Sequence, residues 1–203
     1  MTHSNDATGA EPAKRSKRAQ KSTSNWSRPP SVSADTLLIN GNDSCFLTMI
    51  YKLWAFNQHM ESARNSLARH FRLSGPQYTI FMAIARFEGE DGINARDLSK
   101  LLEVSPGFIA TEIKSLINIG LLTKSVDDRD RRMHRLQTSD RGRELLRAKS
   151  LFVCKMNDLL FGGLSSEEVR QLVALSSKLT SRSERTSAIL DTHYKMRGDA
   201  VEN

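Results

Sequence analysis

Hydrophobic residues between positions 35 and 181 recur mostly at helical spacing. Phe46, Ile50, Leu53, Trp54 and Met60 share one stripe. Ser74-Gly-Pro-Gln77 reads as a capping box with Pro inside the first turn, opening a helix that carries Ile80, Phe81 and Ile84 and runs into Gly89. Asn94 can cap a short helix holding Leu98, Leu101 and Leu102. Ser105-Pro106 starts another, with Ile109, Ile113 and Leu116 inward and Gly120 as its stop. From Leu121 the period drops to two through Val126, and it does so again from Met133 to Thr138. These two runs predict a β-hairpin whose turn is the charged Asp127–Arg132. Ser139 caps a long helix carrying Leu145, Leu146, Leu151, Phe152, Met156 and Leu159, which Gly162-Gly163 breaks. Ser165-Ser-Glu-Glu168 is a second capping box, leading a helix with Val169, Leu172, Val173 and Leu179.

The predicted fold is mainly α with a small β-wing. Residues 1–34 are rich in Ser, Thr, Lys, Arg and Pro and poor in large apolar residues, so they read as a disordered basic arm. Residues 35–181 form the folded domain, and 182–203 a polar tail. The helical stripes at both ends exceed what a small monomer can bury.

The stretch 94–118 carries the functional signal. A short helix, a tight turn around Glu103-Val104-Ser105 and a second amphipathic helix make a helix-turn-helix. The second helix suits the major groove of B-DNA, about 12 Å wide. Its outward N-terminal face presents Ser105, Pro106, Gly107, Phe108, Thr111 and Lys114, the end that reaches base edges in such motifs. A plain helical hairpin inside a bundle is the alternative. The shortness of the first helix and the basic hairpin at 121–138 weigh against it.

Composition narrows the partners. The 203 residues carry 30 Lys and Arg against 23 Asp and Glu, a formal charge of +7, which favours a polyanion. Lys14, Arg15, Lys17, Arg18 and Lys21 cluster in the arm and would add phosphate attraction. No apolar run is long enough to cross a bilayer, and the N-terminal residues lack the apolar core of a secretory signal. The two cysteines, Cys45 and Cys154, imply neither a disulfide framework nor a zinc site, so a cytoplasmic setting is expected. Phosphate-binding loops, dinucleotide glycine patterns and His-Glu-x-x-His are lacking, and His3, His59, His70, His134 and His193 are scattered. A binding protein without cofactor or metal is expected rather than an enzyme.

On these motifs the chain resembles the MarR (multiple antibiotic resistance regulator) family. Leu73-Ser-Gly-Pro-Gln77 looks like the family's entry into its second helix. Asp97-Leu-Ser-Lys-Leu-Leu-Glu-Val-Ser-Pro106 looks like its helix-turn-helix, and Ile119-Gly-Leu-Leu122 like its entry into the wing. Asp127-Asp-Arg-Asp-Arg-Arg132 looks like its wing tip, and Asp140-Arg-Gly-Arg-Glu-Leu145 like the start of its dimerisation helix. The likeness spans roughly residues 45–180. It departs at Thr138-Ser139, where the family often has Leu-Thr, and at Phe108 and Thr111, so the operator sequence does not transfer.

The resemblance implies a winged helix-turn-helix with N- and C-terminal dimerisation helices. It further implies a homodimer on a pseudo-palindromic double-stranded DNA site, acting as a repressor. Arg132 matches the wing arginine that enters the minor groove, Asp130 the acid that holds it, and Arg129 lies between the wing acids. Many relatives release DNA on binding a small aromatic carboxylate or phenol, for which Trp54, His59, Arg72, Tyr78 and Phe81 are the candidate lining. The plain alternative makes these aromatics core and the arginine solvated. A rival sensor is Cys45, placed near the start of the first helix as in the family's peroxide-sensing branch; its plain alternative is a buried structural thiol, and Cys154 is read as packing.

Overall fold

The structure is a computed structural model, which describes residues 27–127 and 131–198. The basic cluster of the arm, Lys14 to Lys21, lies outside the described residues, as do Arg129 and Asp130. The chain divides into two compact units, residues 1–55 and 56–203, and α1 (Ser44–Phe71) begins in the first and ends in the second.

In the first unit, two 3-10 turns, Asp35–Leu37 and Ile39–Gly41, precede α1. Asn40 and Gly41 both take positive φ there. Asp43 is buried just before α1, and its carboxylate accepts from the Arg28 guanidinium at 2.6 Å. It also accepts from the Ser31 backbone N–H and the Ser31 hydroxyl, each at 2.7 Å. These bonds hold the Asp43 carboxyl far below the usual carboxylate range, Arg28 contributing most. The segment from Arg28 to Ser31 is therefore tied down, whereas sequence composition assigned it to a disordered arm ending at 34. The difference arises from one buried acid that composition does not register.

In the second unit the remaining elements are α2 (Gly75–Phe87), α3 (Ala95–Leu102), α4 (Pro106–Asn118), β1 (Leu122–Val126), β2 (His134–Thr138), α5 (Asp140–Phe161) and α6 (Ser166–Gly198). Each helix start is chemically specified. Ser74 and Gln77 close the expected capping box on α2. Asn94, Ser105 and Ser139 accept the N3 amide of α3, α4 and α5. Ser165 and Glu168 cap α6 reciprocally, the Ser165 N–H donating to Glu168 at 2.8 Å.

One apolar cluster holds α2, α3, α4 and the hairpin together. Phe81, Ile84, Leu98, Ile109 and Leu116 are fully buried in it, with Ile80 and Leu136 nearly so. β1 and β2 pair antiparallel from Leu122↔Thr138 to Val126↔His134. Ile93 adds a bridge to Leu136, so the chain just before α3 forms a third rung of the wing. Gly142, in the first turn of α5, fits where a Cβ would lie 2.4 Å from the Leu121 carbonyl oxygen. Only glycine lets α5 leave the wing at this closeness.

Two features of the outer helices differ from the sequence expectation. α6 runs to Gly198, well past the predicted end at 181. No Gly or Pro intervenes between Leu164 and Gly198, and the hydroxyls of Ser177, Ser181, Thr186 and Thr192 fold back onto the carbonyls four residues earlier. A polar sequence is thus compatible with a continuing helix. Second, every described α6 side chain from Ser166 to Met196 is exposed, as are Leu151 (86%) and Leu159 (75%) on α5. Cys45 and Cys154 are exposed too, which corrects the reading of both as packed thiols. They stand on helices that are largely uncovered.

Candidate nucleic-acid interface

The turn between α3 and α4 is built by its own side chains. Glu103 takes a left-handed conformation at φ 53° and ends α3. The Ser99 hydroxyl donates to the Val104 carbonyl at 2.5 Å, and the Val104 N–H donates to the Ser99 carbonyl at 3.2 Å. Ser105 then starts α4 by accepting the Phe108 N–H at 3.3 Å, with Pro106 at the first helical position. Ile109, Ile113 and Leu116 turn into the core. Pro106, Gly107, Phe108, Thr111 and Lys114 stay exposed on the other face. α4 is about 20 Å long at 1.5 Å per residue, which suits a major groove.

The side chains of this face are not equivalent. The hydroxyl of Ser105 is spent on its cap, and that of Thr111 donates to the Gly107 carbonyl at 3.1 Å. Gly107 has open space around its Cβ position, so backbone can approach a partner closely. Phe108, 41% exposed, offers an apolar edge without a hydrogen bond. Lys114 supplies charge.

Between α4, the start of α3 and the wing lies a cleft of about 660 Å³. Its floor is apolar, from Ala110, Ile113, Ile117 and Leu136. Arg96, Lys114, Lys124 and Arg132 stand around it, and none of the described residues lining it is acidic. Sequence reasoning had placed Lys114 and Arg132 here but missed Arg96 and Lys124. Their signal was present: Arg96 lies two residues after the Asn94 cap, and Lys124 alternates outward on β1.

The wing is held by polar ties. Arg135 on β2 forms an ion pair with buried Asp127, and its Nη1 donates to the Gly92 carbonyl at 3.3 Å. The Gln137 amide donates to the Glu90 carbonyl at 2.8 Å, and Glu88 accepts the Thr138 N–H. At the wing's exit the Ser139 hydroxyl donates to the Gly120 carbonyl at 2.6 Å.

The expected effector residues are not assembled as one lining. Phe81 is fully buried in the core. Tyr78 is buried against Phe71, ring centroids 5.1 Å apart, and burial pushes its phenol pKa up. Both follow the plain alternative for aromatics at helical spacing. His59 and Trp54 are exposed, Trp54 at 65%, and Trp54 belongs to the other unit. Arg72 is exposed, with φ 58°, and borders a hollow of about 520 Å³ together with Phe71, Leu73, Ile119 and Arg141.

The fold is that of a winged helix-turn-helix protein. Residues 73–133, which contain α2, α3, α4 and β1, match the model of the MarR family. The fold is similar to that of Staphylococcus aureus MepR in complex with DNA: TM-score 0.54, 21% identity, covering 64% of this chain and 95% of that one. It is similar also to CouR from Rhodococcus jostii bound to p-coumaroyl-CoA, with TM-score 0.58 and 21% identity over 64% and 90% of the two chains. A MarR transcriptional regulator from Methanosarcina mazei matches with TM-score 0.53 and 20% identity over 68% and 98%. No curated protein sequence matches the chain. Among the described residues no helix is long and apolar enough to cross a membrane.

Proposed function

We propose that the protein is a homodimeric repressor that reads a pseudo-palindromic site. α4 enters the major groove and the wing the flanking minor groove. The observation that carries this reading is the arrangement around the α4–wing cleft: four cationic side chains, no acid among the described residues that line it, and the exposed N-terminal face of α4 beside them. The cations meet phosphates, while Gly107, Phe108 and Thr111 approach base edges. Arg132 enters the minor groove, and the family resemblance gives Asp130 the role of holding it in position and makes Arg129 a further DNA contact. A narrow minor groove concentrates negative potential and attracts a guanidinium. Dimerisation is supported by α6. An isolated helix gains little stability from its own hydrogen bonds, and one whose described side chains are all exposed needs a partner. The test is to incubate the protein with fragmented genomic DNA, sequence what it retains, and measure stoichiometry on the recovered site. Two chains per site support the reading, and one chain at full affinity on an isolated half-site refutes it.

The effector in this reading is a small aromatic acid or phenol. The hollow beside Arg72 and Arg141 supports it: its apolar walls include Phe71, Leu73 and Ile119, and its two guanidinium groups outnumber the one carboxylate in the lining, Glu144. It replaces the lining expected from Tyr78 and Phe81. A coupling of about 1–3 kcal/mol between acid and DNA is expected. The second reading, a thiol sensor, is favoured by the exposure of Cys45. Peroxide-driven release of DNA that Cys45→Ser abolishes would select it over the acid.

A further inference from the structure

The first turn of α2 is gripped from two sides. Facing α1, Gly75 lies where a Cβ would come 2.2 Å from the Asn65 side-chain oxygen, and Arg64 donates to the Thr79 hydroxyl at 3.3 Å. Facing α4, the Gln77 side-chain NH2 donates to the Ser115 hydroxyl at 2.9 Å, across 38 residues of sequence. The Gln77 carbonyl oxygen meanwhile accepts the Ser74 N–H at 3.1 Å. This pattern fixes which way the amide points. Turned over, its NH2 would face another donor, the Ser74 N–H, so the Ser74 contact sets the orientation even though the Ser115 hydroxyl could donate to a flipped oxygen.

Both helices also contribute to the shared apolar core, α2 through Ile80, Phe81 and Ile84 and α4 through Ile109, Ile113 and Leu116. Apolar burial is non-directional and resists separation more than it resists small rotation or sliding. A hydrogen bond has a narrow range of distance and angle. Gln77–Ser115 therefore adds the directional restraint between these two helices. Ser115 lies one turn beyond Thr111 and next to Lys114, so the restraint acts on the part of α4 that faces a partner.

We infer that Gln77 and Ser115 are positioning residues for DNA recognition: the latch between them sets the rotation of α4 against a first turn of α2 that α1 already holds. The inference rests on the DNA-binding reading and deepens it. Base-edge contacts need α4 placed to within a fraction of an ångström, whereas phosphate contacts tolerate small shifts. Loss of the latch should thus cost specificity rather than general attraction to DNA.

Ser115→Ala removes the latch and leaves the Ser74–Gln77 cap intact. On the genomic fragment selected by the wild-type protein, affinity should fall about three- to tenfold, the range expected for one hydrogen bond. Binding to poly(dI-dC) and the salt dependence should stay as in wild type, and the melting temperature should fall by no more than the loss of one hydrogen bond accounts for. Gln77→Met removes the latch and the side-chain half of the capping box, while the Ser74 hydroxyl still accepts the residue-77 N–H, and adding Ser115→Ala to it should weaken selected-fragment binding no further. Without DNA, Ser115→Ala should speed amide exchange along α4 relative to α2. Equal losses on both DNAs, additive losses in the double variant, or unchanged exchange along α4 would overturn the inference. If the wild-type protein itself retains no fragment, the DNA-binding reading has failed, and the exchange measurement alone decides the latch.

Discussion

Arg135 of β2 reaches back to Asp127 at the end of β1, and the pair closes the base of the wing. Asp127 is buried and its N–H donates to the Met133 carbonyl at 3.0 Å, while Arg135 also holds the Gly92 carbonyl at 3.3 Å. One side chain thus joins both wing strands to the segment leading into α3.

Arg135→Ala should therefore destabilise the fold by about 1–3 kcal/mol, because a charge-assisted bond to a buried acid is lost. Arg135→Lys should recover only part, since one ammonium cannot reproduce the fork that reaches both Asp127 and Gly92. Urea unfolding of the two variants checks this. Equal stability of both with wild type would mean that the hairpin is held by its ladder alone.

The Asp43 knot predicts a pH dependence confined to the N-terminal segment. Its carboxyl titrates lower in the folded protein than in the unfolded chain, mainly because of Arg28 and then Ser31. The stability it contributes is therefore fully present above the ordinary carboxylate range near pH ~4, and is lost as pH falls through the lowered folded value. The Ser31 amide should be protected from hydrogen exchange at neutral pH and lose protection progressively in acid. In Asp43→Asn it should be weakly protected throughout. Equal protection in the variant would show that the knot does not hold the segment.

Much of the winged helix-turn-helix unit was legible in the sequence because its determinants are local. Ser74, Asn94, Ser105, Ser139 and Ser165 cap the helices that follow them, and the switch of period at Leu121 marks β1. The illegible parts depend on distant partners. Nothing near Gln77 announces Ser115, and nothing in the composition of residues 27–34 announces Asp43. The aromatics misled for a related reason. Tyr78 and Phe81 have the helical spacing that a ligand lining and a core share, and only packing separates the two. The end of α6 was misplaced because a polar sequence without Gly or Pro can extend a helix as readily as end one.

α6 offers a direct check on assembly. Leu172, Leu175 and Leu179 lie on one stripe and are exposed. Sedimentation equilibrium at micromolar concentration should give a dimer, and Leu175→Glu with Leu179→Glu should shift it toward monomer. A wild-type monomer, or a double variant that dimerises as well as wild type, would remove this face from the interface.

If α4 and the wing contact DNA together, Arg132 is the residue whose loss should be felt in binding and not in folding. It stands at the α4–wing cleft with Arg96, Lys114 and Lys124. The measurement is fluorescence anisotropy of the selected genomic fragment with wild type and Arg132→Ala, alongside thermal unfolding. The account predicts a loss of about 1–3 kcal/mol in binding with melting temperature and dimerisation unchanged. Unaltered affinity in a folded dimeric Arg132→Ala protein would contradict it.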